Sequence, residues 1–148
     1  MSQQEIELVF PSLNSSNYQV TSSKTPNYNC IAWAVNVDNR WWWPDQQNQY
    51  YWPKDIPREE TLSAFIKAYS LYGYSVCNNL TYEKGFEKIA IYTNFQGKPT
   101  HAARQLTSGD WTSKLGKLED ISHKDLNVVS GQVYGKVSVI MKRSNPDF

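Results

Sequence analysis

The sequence predicts an α+β fold in which N-terminal helices pack on an antiparallel sheet of about four or five strands. Apolar residues recur at helical spacing only in the first half of the chain, most clearly from Leu62 to Tyr69. Strand-forming segments follow, and the longest runs from Val133 to Lys142. Helices followed by a run of strands are typical of an α+β architecture. Because 148 residues is a common size for one domain, residues 1–148 are expected to form a single domain.

The beginning of the chain is expected to be irregular. Residues 1–24 predict a lead-in without regular structure, because the segment after Pro11 is rich in Ser, Asn and Thr. The first helix is expected from about Cys30 to Val37. Asn27 or Asn29 can cap it by accepting a hydrogen bond from an early backbone N–H.

An aromatic segment, Arg40–Pro53, follows this helix and contains three consecutive tryptophans, Trp41–Trp43. Alternate side chains of an extended segment point in opposite directions, so the three indoles cannot all face one core. Two interpretations stay open: the wall of a substrate groove beside Cys30, or a cover over the next helix. That second helix is predicted to have Pro57 in its first turn and to end near Gly73.

Four β-prone segments predict the sheet. In chain order they are Phe86–Thr93, a segment beginning near His101, Trp111–Leu115 and Val133–Lys142. Gln96-Gly97 and Gly109-Asp110 supply turns between the first three. Residues 117–130 are ambiguous, and a short helical turn capped by Ser122 is one interpretation.

Charge and composition exclude several classes of function. Fifteen basic and fourteen acidic residues leave a net charge of +1 without a basic block, so a nucleic-acid partner is not expected. No stretch approaches the roughly 18 apolar residues of a membrane span, and the N-terminus does not look like a signal peptide. A cytoplasmic protein without a membrane partner is expected, while secretion without a cleaved signal stays open. Two His and two Cys lack the close spacing of zinc ligands, so neither a metal nor another cofactor is expected.

The residues most suggestive of chemistry are Cys30 and His101. A thiol at the first turn of a helix lies at the positive end of the helix dipole, where the thiolate is favoured and its pKa falls. A histidine beside such a thiol can take its proton and return it to a leaving group. The pattern therefore predicts a cysteine nucleophile on a helix, followed by a histidine acid–base on a strand.

This order resembles that of the papain-like cysteine peptidase superfamily, most closely its small NlpC-type branch of cell-wall peptidases. In that branch a third polar residue, about twelve positions after the histidine, orients the imidazole, and the matching position is Ser113. Serine replaces the usual His, Asn, Gln or Asp, and a hydroxyl stabilises an imidazolium less than a carboxylate does. Asp110 and His123 are the other candidates for orienting His101.

The chain also resembles an uncharacterised family of bacterial proteins over roughly residues 25–142. The segments that carry this resemblance are Tyr28–Ala34, Trp41–Pro44, Glu87–Ala90, Thr100–Gln105 and Trp111–Gly116. The family has no activity that can be transferred to this chain.

The papain-like resemblance implies a cysteine hydrolase that cleaves an amide bond in a peptide, cell-wall peptide or protein. Cys30, His101 and Ser113 would be catalytic. The candidate substrate-binding residues flank the nucleophile, belong to the tryptophan segment or share the strand face of His101: Tyr28, Asn29, Trp42, Trp43 and Gln105. Peptidase, amidase, deamidase and acyl-transfer outcomes all stay open.

Two other interpretations stay open as well. Free cysteine is among the most buried residue types, so Cys30 can be an ordinary core residue of a binding module whose tryptophan segment contacts a glycan or protein. Alternatively, the chain is an inactive relative that keeps the fold and turns over poorly because Ser113 is a weak orienting group.

Overall fold

One antiparallel sheet of seven strands forms the centre of the molecule in the computed structural model, which describes residues 3–148. The strands are β1 (Tyr18–Val20), β2 (Ser75–Cys77), β3 (Phe86–Thr93), β4 (Pro99–Gln105), β5 (Trp111–Lys114), β6 (Asp120–His123) and β7 (Lys136–Ser144). Their order across the sheet is β1-β6-β5-β4-β3-β7-β2. The predicted mixture of helices with an antiparallel sheet is confirmed.

The sheet has more strands than the four or five that the sequence predicts. The additional strands β1, β2 and β6 have three or four residues each, too few to show a clear alternation of apolar and polar side chains. β1 pairs with β6, and β2 pairs with β7. These strands therefore form as partners of existing strands rather than through their own β propensity.

Three α-helices and one 3-10 helix accompany the sheet in residues 3–148: α1 (Gln3–Val9), α2 (Cys30–Trp33), α3 (Leu62–Ser70) and the 3-10 helix Leu126–Val129. The irregular lead-in predicted for residues 1–24 is wrong where the structure describes it, because this segment contains both α1 and β1. α3 begins later than Pro57, since the Thr61 side chain accepts a hydrogen bond from the backbone N–H of Ala64 and caps the helix there.

The helix that begins at Cys30 is much shorter than predicted. Asn36 adopts a left-handed conformation with φ of 63°. The N–H of Val37 bonds back to the carbonyl of Ala32, and the N–H of Asn36 bonds to that of Trp33. This is the hydrogen-bond pattern of a Schellman motif, which satisfies the last carbonyls and turns the chain away from the helix axis.

Alternate residues of β3 contribute to two separate apolar cores. Ile89 and Ile91 pack with α2, α3 and the aromatic segment in the first core. Ala90 and Tyr92 pack with α1 and the 3-10 helix in the second core. Because successive side chains of a strand point to opposite faces, the sheet separates a helical layer on each side.

The pairing of β4 with β5 ends early. These strands pair only at Arg104 with Thr112 and at Gln105 with Trp111. On the other side of β4, the register with β3 shifts between Tyr92 and Thr93. The backbone around His101 therefore makes no regular β-sheet pairing with β5, and α2 packs against β4.

No helix within residues 3–148 has the length and apolar character needed to cross a bilayer.

The loop before β7 depends on a glycine, and its substitution tests the close packing of that loop. A Cβ on Gly135, which has φ of 75°, would collide with the carbonyl oxygen of Thr93. We expect Gly135→Ala to lower the free energy of unfolding by about 3 kcal/mol or more in urea denaturation. Gly97→Ala is the matched control, because Gly97 has φ of 79° but nothing within 4 Å of the added Cβ. The control should lose only about 1–2 kcal/mol, and equal losses would contradict the collision.

Candidate functional site

Asn29 fixes the start of the helix that carries Cys30. Its buried side-chain oxygen accepts hydrogen bonds from the N–H of Ala32 at 3.3 Å and from the N–H of Trp42 at 3.0 Å. Its amide nitrogen donates to the carbonyl of Trp42 at 2.7 Å. One side chain therefore caps α2 and holds the tryptophan segment against it.

The thiol of Cys30 is almost completely buried, with 6% of the residue exposed. Burial raises the pKa of the Cys30 thiol to about 11, although the nearby backbone N–H groups of Ala102, Cys30 itself and Ile31 oppose this rise. The predicted lowering of its pKa is therefore wrong. α2 has only four residues, so its dipole is small, and loss of solvation outweighs the favourable amides.

A buried cation near Cys30 is a feature that sequence reasoning missed. The ammonium of Lys114 donates to the carbonyls of Thr25 at 2.7 Å and Gly116 at 2.5 Å, and lies 5.0 Å from the ring centroid of Tyr28. Its charge opposes the rise in the pKa of Cys30. No sequence signal marks Lys114, because a lysine on a strand is usually exposed.

His101 is fully buried and is bonded through only one of its ring nitrogens. Nε2 lies 2.9 Å from the hydroxyl oxygen of Ser113, while Nδ1 has no hydrogen-bond partner. The ring stacks on Tyr134 with centroids 4.0 Å apart, and Tyr92 meets it edge-on at 5.0 Å. Burial, with a contribution from His123, lowers the pKa of His101 well below 6.5, so the ring is neutral at pH 7.

The hydrogen bonds continue beyond Ser113. The same hydroxyl lies 2.8 Å from Nε2 of His123, and Nδ1 of His123 lies 2.9 Å from the carbonyl oxygen of Asp125. Of the three candidates for orienting His101, Ser113 thus makes the direct contact and His123 acts through it. Asp110 lies in the turn before β5, where its backbone bonds to Leu106 and Ser108.

No hydrogen bond joins Cys30 to His101, and their surroundings belong to different apolar cores. Cys30 belongs to the first core, whereas the aromatic rings around His101 belong to the second. The backbone N–H of Ala102, the residue that follows His101, favours the thiolate of Cys30.

The thiol lies at the wall of an apolar pocket of about 310 Å³. Its lining residues come from the start of α2, the tryptophan segment, β4 and two loops: Asn29, Cys30, Trp41, Trp43, Tyr50, Thr100, Gly116 and Tyr134. Tyr134 joins this pocket to His101, because the same ring that lines the pocket stacks on the imidazole. Other surface pockets, of about 350 Å³ and 400 Å³, lie elsewhere and contain neither Cys30 nor His101.

A family model described as a domain of unknown function, DUF7689, matches residues 19–142. The chain belongs to this family. No curated protein and no solved structure matches it. Membership in DUF7689 therefore establishes a family without assigning an activity.

In this DUF7689 domain the predicted substrate-binding residues separate into two groups. Asn29 and Trp43 line the pocket. Trp42 is 1% exposed and packs against Tyr51 and Tyr72, so it is a core residue.

The other two predicted contacts also lie away from the pocket. Tyr28 is buried, and its hydroxyl donates to Asp120 at 2.7 Å. The Gln105 amide donates to the carbonyl of Leu80 at 3.2 Å, at the end of β4 away from His101. Neither side chain lines the pocket beside Cys30.

Trp41 lines the pocket but was not predicted to do so, although the alternation of side chains along an extended segment could have identified it. Trp41 and Trp43 line the pocket while Trp42 points into the core, as expected for an extended segment. The segment also covers the second helix, because Trp43 and Trp52 both contact Phe65 of α3. The interpretation of the segment as a cover over this helix is therefore confirmed, while its role as the wall of a substrate groove stays a prediction.

Neither cysteine of this DUF7689 domain forms a disulfide, so Cys30 and Cys77 are both free thiols. Within residues 3–148, no group of three or more His, Cys, Asp or Glu side chains is placed to hold a metal ion.

Removal of the Asn29 side chain tests its double role. We expect Asn29→Ala to lower the free energy of unfolding by about 2–4 kcal/mol in urea denaturation. The lost helix cap accounts for about 1 kcal/mol, and the unpaired backbone groups of Trp42 account for about 1–3 kcal/mol. Thr61→Ala, which removes only the exposed cap of α3, should cost about 1 kcal/mol. Similar losses in the two variants would show that the bonds to Trp42 contribute little.

The pH dependence of alkylation tests the protonation state of Cys30. Because burial raises its pKa to about 11, the rate of iodoacetamide labelling should still rise tenfold per pH unit up to pH 9.5, without a plateau. At pH 8 we expect labelling about two orders of magnitude slower than in urea. Mass spectrometry of the Cys77→Ser protein measures this rate. An inflection below pH 8.5 in the folded protein would contradict the burial effect.

Proposed function

We propose that this protein is a papain-like cysteine hydrolase that cleaves an amide bond through Cys30 and His101. The observation that carries the proposal is a cysteine at the wall of an apolar pocket, beside backbone N–H groups that favour its thiolate. His101, which stacks on the pocket residue Tyr134, is bonded to Ser113 through Nε2 and has a buried Nδ1 without a partner. A general base needs such an unoccupied nitrogen.

In the proposed reaction Nδ1 of His101 carries the proton between thiol and leaving group, while Nε2 stays bonded to Ser113. Nδ1 takes the thiol proton, and the sulfur attacks the carbonyl carbon of the substrate, so that a tetrahedral intermediate forms. The N–H groups of Cys30 and Ile31 are candidates for holding the developing oxyanion. When the C–N bond breaks, the imidazolium returns its proton to the leaving amine, and a thioester to Cys30 remains. Water then attacks the thioester, which gives the acid and the free thiol.

The protonation states impose a cost on the first step. With the Cys30 pKa at about 11 and that of His101 below 6.5, proton transfer before attack costs at least about 6 kcal/mol. A turnover of about one per second corresponds to a barrier of about 17 kcal/mol. The cost therefore fits within an enzymatic barrier, but it favours transfer of the proton together with attack over a preformed ion pair.

The pocket favours a neutral, apolar acyl group. Trp41, Trp43, Tyr50 and Tyr134 supply most of its wall, and it contains no carboxylate or basic side chain. A volume of about 310 Å³ suits one amino-acid side chain or an acyl group of that size. We therefore propose a peptide or protein substrate, including a cell-wall peptide, with an apolar residue on the acyl side of the cleaved bond.

A non-catalytic binding module is the second candidate. It is favoured by the protonated, buried thiol and by the lack of a hydrogen bond between Cys30 and Nδ1 of His101. In that case the indoles of Trp41 and Trp43 would hold an apolar ligand, and Cys30 would only contribute to the pocket wall.

Acylation by activated esters tests the hydrolase. In the Cys77→Ser background, we expect p-nitrophenyl 3-phenylpropionate to release a burst of p-nitrophenol and to add one acyl group to Cys30, detected by intact-mass spectrometry. Trp41→Ala should reduce the preference for this ester over the acetate, because it removes part of the pocket wall. His101→Ala should slow acylation by about 100-fold or more.

Cys30→Ser in the same background is the control, because it retains the pocket and removes the thiol. Acylation of Cys30 at the rate of a small free thiol, without an effect of His101→Ala, would overturn the hydrolase. Saturable quenching of tryptophan fluorescence by 3-phenylpropionamide without any acylation would instead support the binding module.

A further inference from the structure

We propose that His123 is a positioning residue that fixes the tautomer of His101 through Ser113 and leaves Nδ1 of His101 as a free base. The proposal rests on the proposed function for its catalytic meaning. The tautomer itself follows from four groups in one line of hydrogen bonds: His101, Ser113, His123 and the carbonyl of Asp125.

The carbonyl of Asp125 sets the direction of the line. A carbonyl oxygen can only accept a hydrogen bond, so Nδ1 of His123, 2.9 Å away, must carry a proton. Burial lowers the pKa of His123 below its usual value, which favours the neutral ring at pH 7. A neutral ring with its proton on Nδ1 has a bare Nε2.

Ser113 transmits that direction to His101. Its hydroxyl has one proton, and the bare Nε2 of His123, 2.8 Å away, requires this proton. The oxygen of Ser113 then has only lone pairs left for His101, so Nε2 of His101 must donate across the 2.9 Å contact. A neutral His101 with its proton on Nε2 has a bare Nδ1.

The described contacts of His101 agree with this assignment. Nδ1 is the only polar atom of the ring without a hydrogen-bond partner, and the residue has no solvent exposure. Tyr134 and Tyr92 restrict the ring by stacking and edge-on contact, so a ring flip would disturb both. The ring is thus held with its basic nitrogen away from Ser113.

This arrangement explains how a serine can serve at the orienting position. A serine hydroxyl alone can donate or accept, so it would permit either tautomer of His101. The tautomer with a proton on Nδ1 cannot accept the proton of a thiol. His123 removes this choice because its Nε2 accepts the only hydroxyl proton of Ser113. The Ser113 oxygen can then only accept a hydrogen bond from His101.

The tautomer can be measured without any substrate. The chain contains two histidines, so a long-range ¹⁵N–¹H spectrum of the uniformly labelled full chain resolves both rings. In the unsubstituted protein at pH 7.5 we expect His101 to show a proton on Nε2 and His123 to show one on Nδ1. His123→Met should convert His101 to a mixture of both tautomers, because Ser113 is free to rotate.

His123→Gln is the matched variant, because its side-chain carbonyl can accept the Ser113 proton from about the position of Nε2. We expect it to retain the Nε2-protonated form of His101 and an acylation rate within about threefold of the unsubstituted protein. His123→Met should acylate Cys30 about tenfold or more slowly, since only molecules in the productive tautomer react. A purely structural role would not distinguish Gln from Met in the tautomer of His101.

Ser113→Ala gives a second route if His123→Met fails to fold. It removes the shared hydroxyl with a small change in volume, and His101 should again show both tautomers. An unchanged, Nε2-protonated His101 in either folded variant, or a proton on Nδ1 in the unsubstituted protein, would overturn the proposal. If the tautomer behaves as expected but no ester acylates Cys30, the positioning role stands and the hydrolase fails.

Discussion

The amide side chain of Asn29 holds together the parts from which the candidate site is built. It accepts from the backbone of α2 and from Trp42, and it donates back to Trp42. Because Trp42 is fixed with its indole in the core, its neighbours Trp41 and Trp43 face the pocket beside Cys30. One buried residue thus connects the start of the helix that carries Cys30 to the segment whose tryptophans line the pocket.

Desolvation dominates the electrostatics of the site. It raises the pKa of the Cys30 thiol and lowers that of His101, so both groups are neutral at pH 7. Three amides and the Lys114 ammonium act against the first shift without reversing it. The helix-dipole expectation failed because it considers local structure alone, whereas the burial of Cys30 arises from packing with β4 and the aromatic segment.

The fold was predictable where one segment carries its own signal. β3, β4, β5 and β7 were all found, and so was α3, because their residues repeat at strand or helix spacing. β1, β2 and β6 were missed because they have only three or four residues each and form by pairing with a neighbouring strand: β6 with β5, β1 with β6 and β2 with β7. The extent of α2 was missed as well, since Asn36 ends it in a left-handed conformation that other residue types seldom adopt.

The sequence by itself determined the order of a cysteine, a histidine and a polar residue, and the contact of Ser113 with His101 agrees with their spacing. Only the tertiary structure decided which tryptophans face the pocket, that Tyr134 covers His101, and that His123 extends the hydrogen bonds beyond Ser113. The physical reason is that spacing along one hairpin is a local property, whereas burial and hydrogen-bond direction depend on groups brought together from separate segments.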